Sequence, residues 1–380
     1  MTAPSGFKIL LVAEGSGGHL IPALQVAHAL AEAGAQIKVW YAHRQPTALL
    51  SHALTHAIRG VSIEIDPIPL AGASNPFRRL WHCGQLWHRA HQCFDAFAPD
   101  VVVGFGGWVS APVVLAARAR RATRQRRIGC LLHEQNALMG RANRVLAPWV
   151  DRVAISFRET SPGCLAASTV MTGLPTRRQI GRCSRADAAQ QFELDPTRPT
   201  LLVLGGSQGA RVINRLMIRL AAQLTPAERR TWQVIHLTGA TDEAAVRAAY
   251  AASAVRAWVA PFLVKMEAAY AQADLVVARA GASTIAELAQ CGKPAILIPY
   301  PHAGGHQRVN ARLVETVGGG LMLEEADATV ERLLGAMRRI LADQRLRELM
   351  GAQMHVLHSG NATEQLAQVI LDLADSGHAA

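Results

Sequence analysis

The chain has 380 residues, of which 50% are apolar and 18% charged, and its formal net charge is +11. This length fits two domains of about 150–200 residues, and the apolar content excludes an intrinsically disordered chain. We expect neither a membrane-spanning helix nor a secretion signal, and six cysteines without a C-x-x-C pair are typical of reduced thiols in a cytoplasm.

The first predicted elements, in residues 7–30, are a buried strand, a glycine-rich loop and a helix, and residues 200–222 repeat this order. Glycines allow the backbone to approach a ligand closely, and the unpaired N–H groups at a helix start favour an anion such as phosphate. Two such loops, one in each half of the chain, predict two nucleotide-type domains that face each other across a central cleft.

Short apolar segments alternate with helical patterns along the whole chain, which predicts an α/β protein with two Rossmann-like, doubly wound parallel sheets. Glycine and proline interrupt the pattern at residues 173–176, so we place the first domain at residues 1–175 and the second at residues 176–360. Residues 361–380 are predicted to form a helix that packs back on the first domain. We expect strands near residues 7–13, 36–41, 101–104, 128–132, 152–155, 200–204, 232–236, 256–259, 275–278 and 295–298.

The first glycine loop does not match the dinucleotide-binding fingerprint. Leu20 stands where the pattern G-x-G-x-x-G requires its third glycine, and no acidic residue follows the next strand. The second loop, at residues 205–209, lacks both features as well. These departures disfavour a nicotinamide- or flavin-dependent dehydrogenase.

Three segments that follow predicted strands carry candidate catalytic or substrate-binding side chains. His19 stands at the start of the first helix, where an imidazole with an ordinary pKa of about 6.5 could accept a proton from a hydroxyl. The alternative is a histidine that only caps the helix or contacts the loop. Residues 106–110 form a further glycine turn, and residues 133–136 place four polar side chains after a strand, which suits a hydroxyl-rich substrate. For His133 itself we favour a structural hydrogen bond over catalysis.

In the second half, residues 280–287 again follow a strand and open a helix, so their amides and hydroxyls suit a phosphate group. Glu287 could accept hydrogen bonds from two ribose hydroxyls, and Arg177 could donate to a diphosphate. The alternative is a capping box between Ser283 or Thr284 and Glu287. The chain has no D-x-D acidic pair and no His/Cys cluster with ligand spacing, so we expect neither a metal nor another cofactor.

Positive charge is concentrated in the first half, where residues 1–176 hold 17 Lys and Arg against 9 Asp and Glu. Residues 118–127 hold six arginines without aromatic stacking partners, so we expect a solvated or membrane-facing helix end and no nucleic acid. An apolar face beside arginines is typical of binding to an anionic membrane surface, although burial in the domain's own core is the alternative. The residues of this predicted membrane patch are Phe77, Leu80, Trp81 and Trp87.

Seven motifs in this sequence together resemble one family, the peptidoglycan N-acetylglucosaminyltransferases that convert lipid I to lipid II. They are GSGGHLIPAL, GFGGWVSAP, HEQNALMGRANRVLA, TGLPTR, GGSQGARVIN, FLVKMEAAYAQADLVVARAGASTIAEL and HQRVNA, and they follow the family's order over roughly residues 8–312. The resemblance implies the two-domain GT-B glycosyltransferase fold. It also implies an inverting hexosyltransferase of peptidoglycan synthesis that uses UDP-N-acetylglucosamine.

The resemblance further implies how the donor, UDP-N-acetylglucosamine, is bound. Backbone groups of Leu263 would bind uracil and Glu287 the ribose, while Gln307 and Asn310 would contact the sugar. The other implied donor contacts are Ser16, Gly17, Gly18 and Asn136 in the first domain, and Arg177, Ser207, Ala282, Ser283, Thr284, Ile285 and Ala286 near the diphosphate.

The implied acceptor is lipid I, an undecaprenyl-diphosphate-linked MurNAc-pentapeptide, which the first domain would bind with its lipid in the membrane beneath the patch. His19 would deprotonate or orient the C4 hydroxyl of the muramyl sugar, and Glu134 is a second candidate for the base. The protein would then be peripheral, at the cytoplasmic face of the inner membrane. Proteins of cell-wall synthesis or division would be further partners.

Three positions depart from the family's pattern. Trp108 replaces the usual tyrosine, Ser16 replaces a common threonine, and Gly305 stands where an acid is common. Two other functions stay open at this point. One is a different UDP-sugar transferase that acts on a membrane lipid such as diacylglycerol, and the other is a non-enzymatic sugar-nucleotide-binding or membrane scaffold protein.

Overall fold

The computed structural model describes residues 6–14, 17–43, 62–69, 76–121, 127–160, 169–206, 209–302 and 304–378. Two predicted donor contacts, Ser16 and Ser207, lie outside the described residues. The chain divides into two compact units. Unit 1 comprises residues 1–177 and 359–380, and unit 2 comprises residues 178–358.

Strands and helices alternate along the chain. The strands are β1 (Lys8–Glu14), β2 (Gln36–His43), β3 (Ile63–Pro69), β4 (Val101–Gly104), β5 (Gly129–Glu134), β6 (Arg152–Ile155), β7 (Thr169–Met171), β8 (Thr200–Leu204), β9 (Gln233–Leu237), β10 (Arg256–Ala260), β11 (Leu275–Ala278), β12 (Ala295–Leu297) and β13 (Gly320–Met322). The helices are α1 (Gly17–Glu32), α2 (Pro76–Ala96), α3 (Ser110–Arg121), α4 (Arg141–Leu146), α5 (Arg185–Phe192), α6 (Arg211–Gln223), α7 (Pro226–Thr231), α8 (Glu243–Ala252), α9 (Met266–Gln272), α10 (Ala282–Cys291), α11 (His306–Thr316), α12 (Val330–Ala342), α13 (Gln344–His355) and α14 (Ala362–His378).

The sheet of unit 1 has seven parallel strands in the order β3-β2-β1-β4-β5-β6-β7. Its central strands are continuous apolar runs because helices cover both faces. Along β1, Ile9 and Leu11 face the layer of α1 and the C-terminal helix α14, where Ile370 is buried with them. Leu10 and Val12 face the opposite layer, which α2, α3 and α4 form.

The sheet of unit 2 has six parallel strands in the order β10-β9-β8-β11-β12-β13. Leu201 and Val203 of the central strand β8 are buried in a core with Met217 of α6 and Leu333 of α12. The helix α6 places Ile213, Met217 and Leu220 one helical turn apart, so one face of it is apolar and packs on the sheet.

All ten predicted strands are present, with ends within two residues of the prediction, but β3, β7 and β13 were missed. Each of the three lies at an edge of its sheet. An edge strand is paired on one side only and needs less apolar surface, so its sequence signal is weak. In β3 the two prolines, Pro67 and Pro69, further obscure the strand pattern because a proline cannot donate to a neighbouring strand.

The strand order reverses between β1 and β4 in unit 1, and between β8 and β11 in unit 2. At such a switch point the two following connections leave toward opposite faces of the sheet, and the space between them is where open α/β sheets bind ligands. The four loops that follow these strands contain the glycine-rich motifs of the sequence. The fold therefore places one candidate site at the carboxyl edge of each sheet.

Candidate active site

The switch point of unit 1 brings together side chains from three separate motifs. Gly106, which follows β4, has a φ of +85°, and a Cβ built on it would lie 3.2 Å from His19 Nε2 and 3.4 Å from Gln135 Oε1. The imidazole of His19 therefore lies against the glycine turn. Among the described residues, no atom lies within 4 Å of the Cβ position of Gly18, so the start of α1 is open. Gly17 is the first residue of that helix.

His133 is buried in β5 and makes the structural hydrogen bonds that its sequence context favours. Its Nε2 donates to the carbonyl of Gly173 at 3.1 Å, and its Nδ1 accepts from Gln135 Nε2 at 3.2 Å. Burial lowers the pKa of His133 to about 4. The ring is therefore neutral at neutral pH and holds Gln135 beside His19.

Glu134 is only 1% exposed, and its carboxylate is saturated by hydrogen bonds. Oε1 accepts from the backbone and side-chain nitrogens of Asn136 at 2.9 and 3.1 Å. Oε2 accepts from Gly140 N at 2.9 Å and from Asn143 Nδ2 at 2.8 Å. A carboxylate with four donors and little exposure is suited to holding residues 136–143 in place, which favours a positioning role for Glu134 over that of a base. Asn143 was not singled out from the sequence.

The switch point of unit 2 lies between the starts of two helices, α6 and α10. Neither helix start carries a side-chain cap, because Ala210 and Gly281 precede them. The alternative of a capping box at Ser283, Thr284 and Glu287 is therefore wrong. The first-turn amides of α10, from Ala282 to Thr284, remain available to an anion, as the phosphate interpretation requires.

Glu287 lies one turn into α10 and is 6% exposed. Tyr270, a fully buried residue of α9, donates its hydroxyl to Glu287 Oε2 at 2.9 Å. This hydrogen bond orients the carboxylate and uses one of the two acceptor sites of Oε2. Tyr270 was missed because its motif position, AAYAQ, reads as an ordinary apolar helix face.

Three further residues of unit 2 that were predicted to contact UDP-N-acetylglucosamine have different structural environments. Gln307 Oε1 accepts from Tyr300 N at 2.9 Å, which connects α11 to the loop after β12. Asn310 is fully buried and donates to the carbonyl of Ala280 at 3.2 Å, so it positions the loop before α10. Gly305 precedes α11 with a φ of +84°, a conformation that favours glycine over an acidic residue. Leu263 is buried in the connection between β10 and α9.

Arg279 is a further buried residue of this edge that the sequence did not single out. Its Nη1 donates to the carbonyls of Ile298 and Pro299 at 3.1 and 3.3 Å. The same guanidinium lies 2.5 Å from Glu325 Oε2. Arg279 therefore fixes the loop that leads to Gln307.

The predicted membrane patch lies on the N-terminal half of α2 and is exposed to solvent. The exposed fractions are 84% for Phe77, 72% for Leu80, 61% for Trp81 and 38% for Trp87. Burial of these four residues in the core of unit 1 is therefore wrong, although Leu86 between them is buried. An exposed apolar surface of this kind, beside arginines, marks an interaction site.

The arginine-rich segment is only partly described. Arg118 is exposed, as expected for a solvated helix end. Arg120 is buried instead, where it pairs with Asp95 and donates to the carbonyl of His91 at 3.0 Å. This arginine joins α3 to α2 and does not face solvent, so the expectation was wrong for it.

Two absences hold for the residues that the structure describes. None of the described helices is both long and apolar enough to cross a membrane. Within the same residues, no group of three or more His, Cys, Asp or Glu side chains could hold a metal ion.

Arg177, a predicted contact of the donor diphosphate, is the last residue of the first segment of unit 1.

Comparison with known proteins places the chain in a family. The glycosyltransferase family 28 N-terminal domain matches residues 9–155, and the C-terminal domain of the same family matches residues 200–376. A protein of Syntrophotalea carbinolica is 38% identical over 370 residues, which cover 95% of this chain and 98% of that protein. A Nocardioides protein is 36% identical over 377 residues, which cover 96% of this chain and 98% of that protein.

Both relatives are named UDP-N-acetylglucosamine--N-acetylmuramyl-(pentapeptide) pyrophosphoryl-undecaprenol N-acetylglucosamine transferase. The crystal structure of Acinetobacter baumannii MurG superposes with a TM-score of 0.72 at 28% identity, covering 96% of this chain and 99% of that one. These matches confirm the resemblance and the GT-B fold that the motifs predicted. The chain belongs to glycosyltransferase family 28 and, within it, to the family of these pyrophosphoryl-undecaprenol N-acetylglucosamine transferases.

Proposed function

We propose that this protein transfers N-acetylglucosamine from UDP-N-acetylglucosamine to the C4 hydroxyl of undecaprenyl-diphosphate-MurNAc-pentapeptide, with inversion at the anomeric carbon. The observation that carries the proposal is the match, over nearly the whole chain, to relatives named for this transfer. The geometry of the two switch points supports it, because one offers helix N-termini to an anion and the other offers an imidazole to a hydroxyl.

In this proposal unit 2 binds the donor. The uncapped starts of α6 and α10 would face the diphosphate and stabilise the charge that develops on UDP as it leaves. Glu287, oriented by Tyr270, would accept hydrogen bonds from the ribose hydroxyls. Gln307 would contact the sugar from the loop that Arg279 fixes.

Unit 1 binds the acceptor in the same proposal. The C4 hydroxyl loses its proton to His19 Nε2 while its oxygen attacks the anomeric carbon and the bond to UDP breaks. His133 and Gln135 hold the environment of the imidazole, and Glu134 holds the loop that follows. This assignment gives His19 the chemical role and leaves the other polar residues of the motif to position it.

The experiment that tests this function supplies radiolabelled UDP-N-acetylglucosamine, a short-chain lipid I analogue and a chelator in place of added metal. Formation of a labelled disaccharide-lipid is expected. Transfer to diacylglycerol instead would favour the other lipid transferase, and UDP-sugar binding without any product would favour the scaffold protein. A chelator-sensitive reaction would contradict the expectation that no metal takes part.

We further propose that the protein is peripheral at the cytoplasmic face of the inner membrane and binds it through the patch on α2. Replacing Trp81 with glutamate should weaken binding to anionic vesicles by roughly tenfold or more, because an apolar side chain no longer enters the interface. Co-sedimentation with phosphatidylglycerol vesicles measures this. The control is Trp149→Glu, since Trp149 is 54% exposed in unit 1 but lies outside the patch. Unchanged binding of the Trp81 variant, or an equal loss in both variants, would contradict the proposed surface.

A further inference from the structure

Glu14, the last residue of β1, has a carboxylate that none of the assignments above uses. Its side chain lies along Gly107, where a Cβ would stand 2.6 Å from Glu14 Oε2 and 3.0 Å from Glu14 Cβ. Gly107 also has a φ of +76°. The absence of a side chain at Gly107 therefore makes room for a carboxylate at the switch point of unit 1.

Two consecutive glycines thus contact two ionisable side chains, His19 at Gly106 and Glu14 at Gly107. Consecutive Cα atoms are about 3.8 Å apart, so these contacts limit the distance between the carboxylate and the imidazole to about 13 Å. Two charges at the upper end of this range interact weakly through water and more strongly where protein of low dielectric constant lies between them. Glu14 is only partly exposed, which limits screening by solvent.

The charge of Glu14 is not compensated in the way that the charge of Glu134 is. Four N–H donors surround the Glu134 carboxylate. By contrast, no hydrogen bond or ion pair joins Glu14 to any other residue that the structure describes. From β5, His133 is neutral, and from α2 the guanidinium of Arg79 lies over the Trp108 ring, 5.9 Å from its centroid. Glu14 therefore contributes a negative charge beside this turn.

We propose that Glu14 is a positioning residue whose carboxylate stabilises the imidazolium that forms on His19 during the transfer. This inference rests on the proposed function. As the acceptor O–H bond breaks, its electron pair forms the new bond to the anomeric carbon, and the bond to UDP breaks with its electrons on the phosphate oxygen. The proton goes to His19 Nε2, so a positive charge appears within about 13 Å of the Glu14 carboxylate.

The test compares Glu14→Gln with the wild-type protein across the pH profile of kcat/KM for the acceptor. Removing the negative charge disfavours protonated His19, so the acid limb should move to lower pH by about half a unit to one unit. The same change makes His19 a weaker base, so the plateau should fall several-fold, while the KM for UDP-N-acetylglucosamine stays constant. Glu14→Asp, which keeps the charge, should keep the position of the acid limb.

The matched control is Glu159→Gln, the same chemical change at an exposed position of unit 1. A second measurement, independent of turnover, is the protonation midpoint of His19 followed by NMR in both proteins without substrates. An unmoved acid limb and midpoint in Glu14→Gln would overturn the inference. So would a lower KM for the acceptor with an unmoved limb, because Glu14 would then only repel the acceptor diphosphate. Failure of the wild-type protein to form any disaccharide would instead overturn the proposed function.

Discussion

Replacing His19 with alanine is expected to lower kcat by about 10²–10⁴ while leaving the affinity for UDP nearly unchanged. The imidazole lies against the Gly106 turn of unit 1, whereas Glu287 and the first-turn amides of α10, the predicted ribose and phosphate contacts, belong to unit 2. The substitution therefore removes the proton acceptor and leaves the donor contacts intact. The rate of disaccharide formation and a calorimetric titration with UDP measure the two quantities.

The control for this prediction is His28→Ala on the same helix, α1. His28 is partly buried and lies 3.1 Å from Glu32, and a partly exposed pair of this kind contributes little. We expect near-normal kcat and UDP affinity in this variant. If the His19 variant instead lost turnover and UDP affinity to the same extent, His19 would have a structural role, as a helix cap or loop contact.

Replacing Glu287 with glutamine is expected to raise the Kd and KM for UDP-N-acetylglucosamine by about 10–100-fold. A buried carboxylate accepts charge-assisted hydrogen bonds worth about 1.5–3 kcal/mol, and each 1.4 kcal/mol is about tenfold in affinity. The amide keeps an oxygen for the Tyr270 hydroxyl, so the packing of α9 against α10 should persist. Titration with UDP and with 2′-deoxy-UDP measures the effect, and the variant should no longer discriminate between them.

Tyr270→Phe provides an intermediate case because it removes the hydroxyl that donates to Glu287 and keeps the carboxylate. A smaller loss of donor affinity, with the same reduced discrimination against 2′-deoxy-UDP, is expected. Glu348→Gln, at an exposed position of α13 where the carboxylate accepts from Gln344, serves as the matched control. Full retention of discrimination in the Glu287 variant would remove this residue from the ribose site.

The sequence predicted the central strands well and the edge strands poorly, and burial explains the difference. A strand such as β1 or β8 is covered on both faces, so an uninterrupted apolar run identifies it without knowledge of its neighbours. The strands β3, β7 and β13 are each paired on one side only. Their sequences lack the long apolar run that would distinguish a strand from a loop between two elements.

The site residues likewise fall into two groups, those that a local sequence pattern identifies and those that only a tertiary contact identifies. His19, Glu287 and the glycine turns were predictable because each stands at a fixed offset from a recognisable strand. The contacts of Tyr270 with Glu287, of Arg279 with the loop before Gln307, and of Glu14 with Gly107 were not. They join residues that lie far apart in the chain or carry no motif of their own.

Local patterns of polarity and glycine therefore establish the two parallel-sheet halves, the glycine-rich loops that are predicted to bind ligands, and the family resemblance. Three-dimensional packing settles which of those loops meet, because the order of strands across a sheet is a long-range property. It also settles that Glu134 is enclosed by donors while Trp81 faces solvent. Burial depends on which helices cover a residue, and that is a consequence of the whole fold and not of its neighbours in the chain.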